Sequence, residues 1–155
     1  MMDVLFMVLD FMSEYKWYLL ILGWIVVSQV MSRITNRGPF PVYENHKITS
    51  IESVGQWSAF LKENNQVVVD FYATWCPPCR MCAVPYGKLS EEYDEKGWKF
   101  AKVDVDQAKE VAFRADIKSM PTFKVYKDGK EIQQFRGFQP GGLKEVLDSM
   151  AKKQN

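Results

Sequence analysis

The chain has 155 residues, 47% of them hydrophobic, with 20 basic and 19 acidic side chains and a formal net charge of +1. That length favours one compact domain plus an appendage, and that apolar share is ample for a core. The near-neutral balance leaves no electrostatic footprint for nucleic acid, and three cysteines do not make the even-numbered framework of a disulfide-stapled secreted domain.

Residues 1–34 differ from the rest. Trp17 to Met31 is a run of fifteen residues without a charge. As a helix it would be about 22 Å long, short of a hydrocarbon core of about 30 Å. Lys16 and Arg33 could snorkel at its ends, and Trp17, Tyr18 and Trp24 are amphipathic aromatics of the interfacial kind. Three readings compete. A cleaved signal peptide wants a basic start, whereas Asp3 stands here and the first basic residue is Lys16. A helix packed on the domain would have to bury an apolar surface all round. The reading taken forward is a single N-terminal transmembrane helix. Arg33, Arg37 and Lys47 follow it while Asp3, Asp10 and Glu14 precede it, which places the remaining domain in the cytosol. A secretory lumen is the alternative.

Residues 35–45 read as a linker, because Gly38, Pro39 and Pro41 stop both helix and strand. From residue 46 to 155 helices and strands alternate. His46 to Ile51 predicts a short strand. Ser53 can cap a helix to about Glu63 with Val54, Trp57, Phe60 and Leu61 on one face. Val67 to Tyr72 reads as a buried strand, Arg80 to Glu95 as a helix, and Trp98 to Val105 as a strand. Ala108, Val111, Ala112 and Ala115 mark another helix. Thr122–Lys127 and Lys130–Arg136 flank Asp128-Gly129, a two-residue hairpin signal. Gly141-Gly142 precedes a last helix with Leu143, Val146, Leu147 and Met150 inward. The order β-α-β-α-β-α-β-β-α predicts an α/β domain of three layers, with a mixed central sheet and helices on both faces.

The chemistry concentrates at Trp75-Cys76-Pro77-Pro78-Cys79. Two cysteines two residues apart, between a buried strand and a helix, are a redox motif. At a helix N-terminus the backbone dipole favours an anion, which lowers the thiol pKa of Cys76 and supplies thiolate. Cys79 lies one turn on, within reach to close a disulfide. Pro77 and Pro78 suit an opening turn, where a missing N–H does little harm. The rivals are two inert buried thiols or a zinc site, which needs four ligands; one histidine, His46, and one further cysteine, Cys82, do not complete the usual set. Cys82 reads as a small buried hydrophobe, with a regulatory thiol as the minority reading.

These residues resemble the thioredoxin family over about His46 to Lys152. The resemblance rests on Val-Asp-Phe-Tyr-Ala-Thr-Trp-Cys-Pro-Pro-Cys (69–79), Lys-Val-Asp-Val-Asp (102–106), Met-Pro-Thr-Phe (120–123), Asp-Gly (128–129) and Gly137. It implies the thioredoxin fold and a protein-disulfide reductase. Cys76 would be the nucleophile, Cys79 the resolving thiol, and Asp70 a buried acid that accepts the proton of Cys79. Lys102 would tune Asp70. Pro121 would be cis and would present the Met120 backbone to an extended substrate, while Trp75 and Gly137 flank the groove. Pro77-Pro78 replaces the commoner Gly-Pro. Pro85 falls six residues after Cys79 where the family has five, so an altered helix bend is expected. No metal or cofactor is implied. The partners implied are disulfide-containing proteins, with a thioredoxin reductase or glutathione as electron donor, and the membrane through residues 17–31. A lumenal oxidant or isomerase and a non-catalytic adaptor are the rival functions.

Overall fold

A computed structural model of the chain describes the backbone of residues 2–35 and 38–151, and the side chains of residues 15–32 and 38–150. The chain divides into two compact units, Met1–Gly38 and Pro39–Asn155.

The first unit is one helix, α1 (Met2–Thr35). Its described side chains, Tyr15 to Ser32, are all exposed. The expected transmembrane helix is not supported: among the described residues, no helix is long and apolar enough to cross a membrane. The physical reason lies in the run itself. Fifteen uncharged residues fall short of a bilayer core, and Gly23, Ser28 and Gln29 dilute them. Ser28 satisfies its hydroxyl within the helix by donating to the Ile25 carbonyl at 2.8 Å, but the Gln29 amide adds polarity. The charges used to orient this segment, Asp3, Asp10, Glu14, Arg33 and Arg37, lie outside the residues whose side chains are described.

The second unit is built on a five-stranded sheet. Its elements are β1 (Ile48–Ser50), α2 (Val54–Glu63), β2 (Gln66–Tyr72), α3 (Pro77–Asp94), β3 (Lys99–Asp104), α4 (Lys109–Arg114), β4 (Thr122–Lys127), β5 (Lys130–Arg136) and α5 (Pro140–Ala151). The spatial order is β1-β3-β2-β4-β5. β3 pairs in parallel with β1 and β2, which the intervening helices require, and β4 pairs antiparallel with β2 and β5. The hairpin between β4 and β5 turns on Asp128 and Gly129, both at positive φ, as a two-residue turn matched to strand twist demands. Ser53 caps α2 by accepting the Gln56 amide at 3.3 Å, and the Gln56 side chain returns to the Glu52 amide at 2.8 Å.

Alternation along β2 separates two cores. Val68 joins Tyr86, Leu89, Phe100, Phe123 and Leu143 on the side of α3 and α5. Val67, Val69 and Phe71 join Val103, Val111 and Tyr126 on the side of α2 and α4. Burying both faces of β2 explains its near-continuous apolar sequence.

β1 and β3 are shorter at both ends than the expected His46–Ile51 and Trp98–Val105, and two helix starts also differ from the sequence expectation. α3 begins at Pro77 rather than Arg80, because both prolines occupy its first turn, and it continues through Pro85 to Asp94. α5 takes in Gly141 and Gly142 instead of following them, and at Gly142 an added Cβ would stand 3.1 Å from the Phe135 ring. Close approach to that ring, rather than a turn, calls for a residue without a side chain there.

Candidate active site

β2 ends at Tyr72 and α3 starts at Pro77, so the dithiol sits on the intervening loop and the first helical turn. Cys76 is the residue that caps α3. Its amide donates to the Ala73 carbonyl at 3.2 Å and its own carbonyl accepts from the Arg80 amide at 3.1 Å. Pro77 and Pro78 follow as exposed residues that carry no N–H to leave unpaired. Cys76 and Cys79 are joined in a disulfide with their Cα atoms 5.3 Å apart. Cys76 keeps 4% of its surface exposed and Cys79 none, so Cys76 is the more accessible of the two.

Asp70 lies on the face of β2 that looks toward α3, the helix that carries Cys79 and Cys82. It is buried, and its Oδ1 has no hydrogen-bond partner among the described residues. Burial pushes its carboxyl up to about 8, against the opposing pull of the Lys102 charge. Lys102 is its register partner on β3 and is only partly buried. The same burial, reinforced by the Asp70 charge, pushes the Cys82 thiol up to about 12. Cys82 is therefore a neutral thiol at physiological pH, and it donates to the Cys79 carbonyl at 3.1 Å.

Across from the dithiol, the Met120–Pro121 peptide is cis, and Met120 packs against the cluster of Ala73, Cys76 and Cys79. Gly137, at positive φ, donates its amide to the Pro121 carbonyl at 2.8 Å. This bond ties the end of β5 to the proline loop, so Met120, Pro121, Gly137 and the dithiol share one end of the sheet. Trp75 is half exposed beside Cys76, and its indole Nε1 donates to Asp106 Oδ2 at 2.7 Å.

Two groups of residues here escaped the sequence reading. Asp106 closes the quoted Lys-Val-Asp-Val-Asp stretch but carried no role, and only the fold brings it to Trp75. The second group is Pro39 to Tyr43, half of the expected linker. Phe40 packs on the dithiol cluster and stacks 4.8 Å from Tyr72, and Arg80 donates to the Pro39 carbonyl at 2.7 Å. Tyr43 donates its hydroxyl to Glu91 at 2.6 Å. The signal available was two aromatics in a proline-stiffened segment, which can be buried without secondary structure of its own. His46, lone in sequence, lines a small cavity beneath these residues and accepts the Ile48 amide through Nδ1 at 3.2 Å.

A protein-family model described as Thioredoxin matches residues 49–149. Thioredoxin-2 of Saccharomyces cerevisiae is 39% identical over 103 residues, spanning 66% of this chain and 97% of the yeast protein. Thioredoxin of Ictalurus punctatus is 42% identical over 103 residues, spanning 65% and 96% respectively. Among solved structures, Plasmodium falciparum thioredoxin superimposes with a TM-score of 0.61 at 37% identity, covering 65% of this chain and 97% of that one.

Proposed function

The chain belongs to the thioredoxin family, and from that premise we infer that it reduces the disulfides of other proteins through Cys76 and Cys79. It is a thioredoxin-like disulfide reductase with a redox-active cysteine pair. The reduced Cys76 thiolate attacks one sulfur of a substrate disulfide. That S–S bond breaks, the other substrate sulfur leaves as a thiolate, and a mixed disulfide forms on Cys76. Cys79 then gives its proton to Asp70 and attacks the Cys76 sulfur. The second substrate thiolate leaves, and the electron pair it carries away is balanced by the new Cys76–Cys79 disulfide. Two electrons from a reductase or from glutathione restore the dithiol.

The observation that carries this reading is a disulfide at the start of α3 above a buried carboxyl on the strand facing that helix, whose Oδ1 has no hydrogen-bond partner among the described residues. Lys102 keeps enough of that carboxyl ionised near neutral pH to accept a proton. Met120 and Pro121 offer backbone to an extended substrate segment, with Trp75 and Gly137 at the flanks. The test is reduction of a protein disulfide such as insulin's by the full chain, with Cys76→Ser as control, together with the reduction potential of the pair. A potential near about −270 mV fits a reductant, and one of about −120 to −180 mV fits a lumenal oxidant or isomerase instead. A chain that binds partners but leaves insulin disulfides intact would be an adaptor.

The same proposal includes attachment of the catalytic domain to the cytosolic face of a membrane through residues 1–34. Its support is the exposed apolar run from Trp17 to Met31, with Arg33, Arg37 and Lys47 following and acidic residues preceding. Because the helix falls short of a full span, we place it in a thinned bilayer or in the interface. Recovery of the full chain in the supernatant when vesicles are sedimented would remove this part, and protease protection of the domain in sealed vesicles would relocate it to a lumen.

A further inference from the structure

We propose that residues 39–43 are a strap that closes the solvent route to Asp70, and that Phe40 is thereby a positioning residue for the resolving step at Cys79. The inference rests on the reading of Asp70 as proton acceptor.

The strap precedes the region that the family model matches, which starts at residue 49, so it is an addition to the matched domain. Three anchors hold it. The Arg80 guanidinium donates from Nη2 to the Pro39 carbonyl at 2.7 Å and from Nη1 to the Thr74 carbonyl at 3.3 Å, and lies 5.7 Å from the Phe40 ring centroid. Phe40 stacks on Tyr72 at 4.8 Å. Tyr43 bonds Glu91 and packs directly onto Gly87, where an added Cβ would stand 2.6 Å from Tyr43 Cβ.

Beneath the strap is a cavity of about 20 Å³, room for one water. Phe40 and Tyr43 of the strap line it together with Asp70, Lys102, Tyr86 and His46. Asp70 is buried, and the strap residues are among those that separate it from bulk solvent. The ring of Phe40 also packs against the cluster formed by Ala73, Cys76 and Cys79, so one side chain lines the cavity beside the acid and adjoins the dithiol. Burial is the largest cause of the raised Asp70 pKa, and the strap supplies part of that burial.

The groups facing Asp70 from other elements are Lys102 on β3, Tyr86 and Cys82 on α3, and His46 before β1, with Tyr72 on its own strand. Its partner on β4, Phe123, carries no charge. None of these groups is replaced in a variant of the strap, although Tyr72 is in contact with Phe40. Opening it admits water to the carboxylate, and the proton is then held less tightly.

The test uses the full chain with its aspartate carboxyl carbons labelled. The Asp70 signal, assigned by its loss in Asp70→Asn, is titrated by NMR in Phe40→Ala, in Phe40→Leu and in Gly87→Ala. Alanine at 87 favours the helix itself but displaces Tyr43, so it opens the strap at a distance from the dithiol. We expect the Asp70 midpoint to fall by about one pH unit in Phe40→Ala and Gly87→Ala, and to return toward wild type in Phe40→Leu. The pH profile of single-turnover resolution should move with it. A midpoint unchanged in whichever of Phe40→Ala and Gly87→Ala retains native helicity overturns the proposal. Failure of the acceptor reading is distinguishable: Asp70→Asn would then resolve with the wild-type pH profile, whatever the strap variants do to the titration.

Discussion

Lys102 stands directly across the parallel β2–β3 pair from Asp70, yet Asp70 Oδ1 accepts no hydrogen bond from it. The lysine acts on the acid through its charge alone, and burial outweighs it. A carboxyl in this position holds its proton near neutral pH but can still release it, which suits an acceptor better than a tightly bonded ion pair would.

The first prediction concerns stability. Folded Asp70 keeps its proton up to about pH 8, whereas in the unfolded chain it loses it at about 3.9. Between those values folding takes up a proton. The contribution is fully present below about pH 4, is lost as pH rises toward 8, and is flat beyond. Asp70→Asn should remove that slope and stabilise the fold by about 1–3 kcal/mol at pH 7. Urea unfolding across this range checks it, and an Asn variant that is less stable at pH 7 would contradict it.

Removing the lysine charge should move the acid the other way. Lys102→Met leaves burial unopposed, so the Asp70 midpoint should rise and resolution at pH 7 should slow by about threefold to tenfold, one pKa unit being one decade of ionised base. Single-turnover resolution of a mixed disulfide on Cys76, followed against pH, measures it. An unchanged profile would mean that Lys102 is merely a solvated surface charge.

The two sulfurs should separate by function. Cys76→Ser should reduce turnover to background, since no other thiol stands at the N-terminus of α3 and the Cys82 thiol is held neutral by burial. Cys79→Ser should accumulate substrates as mixed disulfides visible on a non-reducing gel. Full multiple turnover in Cys79→Ser would rule out the two-thiol mechanism. Cys82→Ala should keep turnover within a few-fold, with its loss confined to packing.

The bond between Trp75 and Asp106 holds a half-exposed indole beside Cys76. Asp106→Ala should remove one restraint on that ring and weaken substrate binding by about 1 kcal/mol, roughly a fivefold rise in KM. The value of kcat for a small disulfide that does not reach the groove should stay the same. Equal losses on large and small substrates would show that Asp106 acts on the dithiol rather than on recognition.

Much of this domain is legible from local pattern. The apolar run Val67 to Tyr72, the Asp128-Gly129 turn, the Ser53 cap and the paired cysteines before a helix each state their structure within a few residues. Local sterics and hydrogen bonding decide them without reference to the rest of the chain. The assignments to Asp70, Lys102 and Pro121 needed the family resemblance, because a single carboxyl or proline in a strand pattern has no local mark of burial or isomer.

Other features were settled only by the tertiary structure, because they join residues distant in sequence. Asp106 meets Trp75 across 31 positions, and Arg80 meets Pro39 across 41. The stretch Pro39 to Tyr43 reads as linker because its prolines forbid helix and strand, and it forms neither. Its side chains nevertheless find a surface, where the missing side chain of Gly87 admits Tyr43 and Tyr72 receives Phe40. The N-terminal run shows the converse: its hydrophobicity is plain in sequence, but length and the polarity of Ser28 and Gln29 keep it below what a bilayer crossing requires. Secondary structure follows from local preference, whereas burial of a charge or an aromatic depends on which distant surfaces the fold brings together.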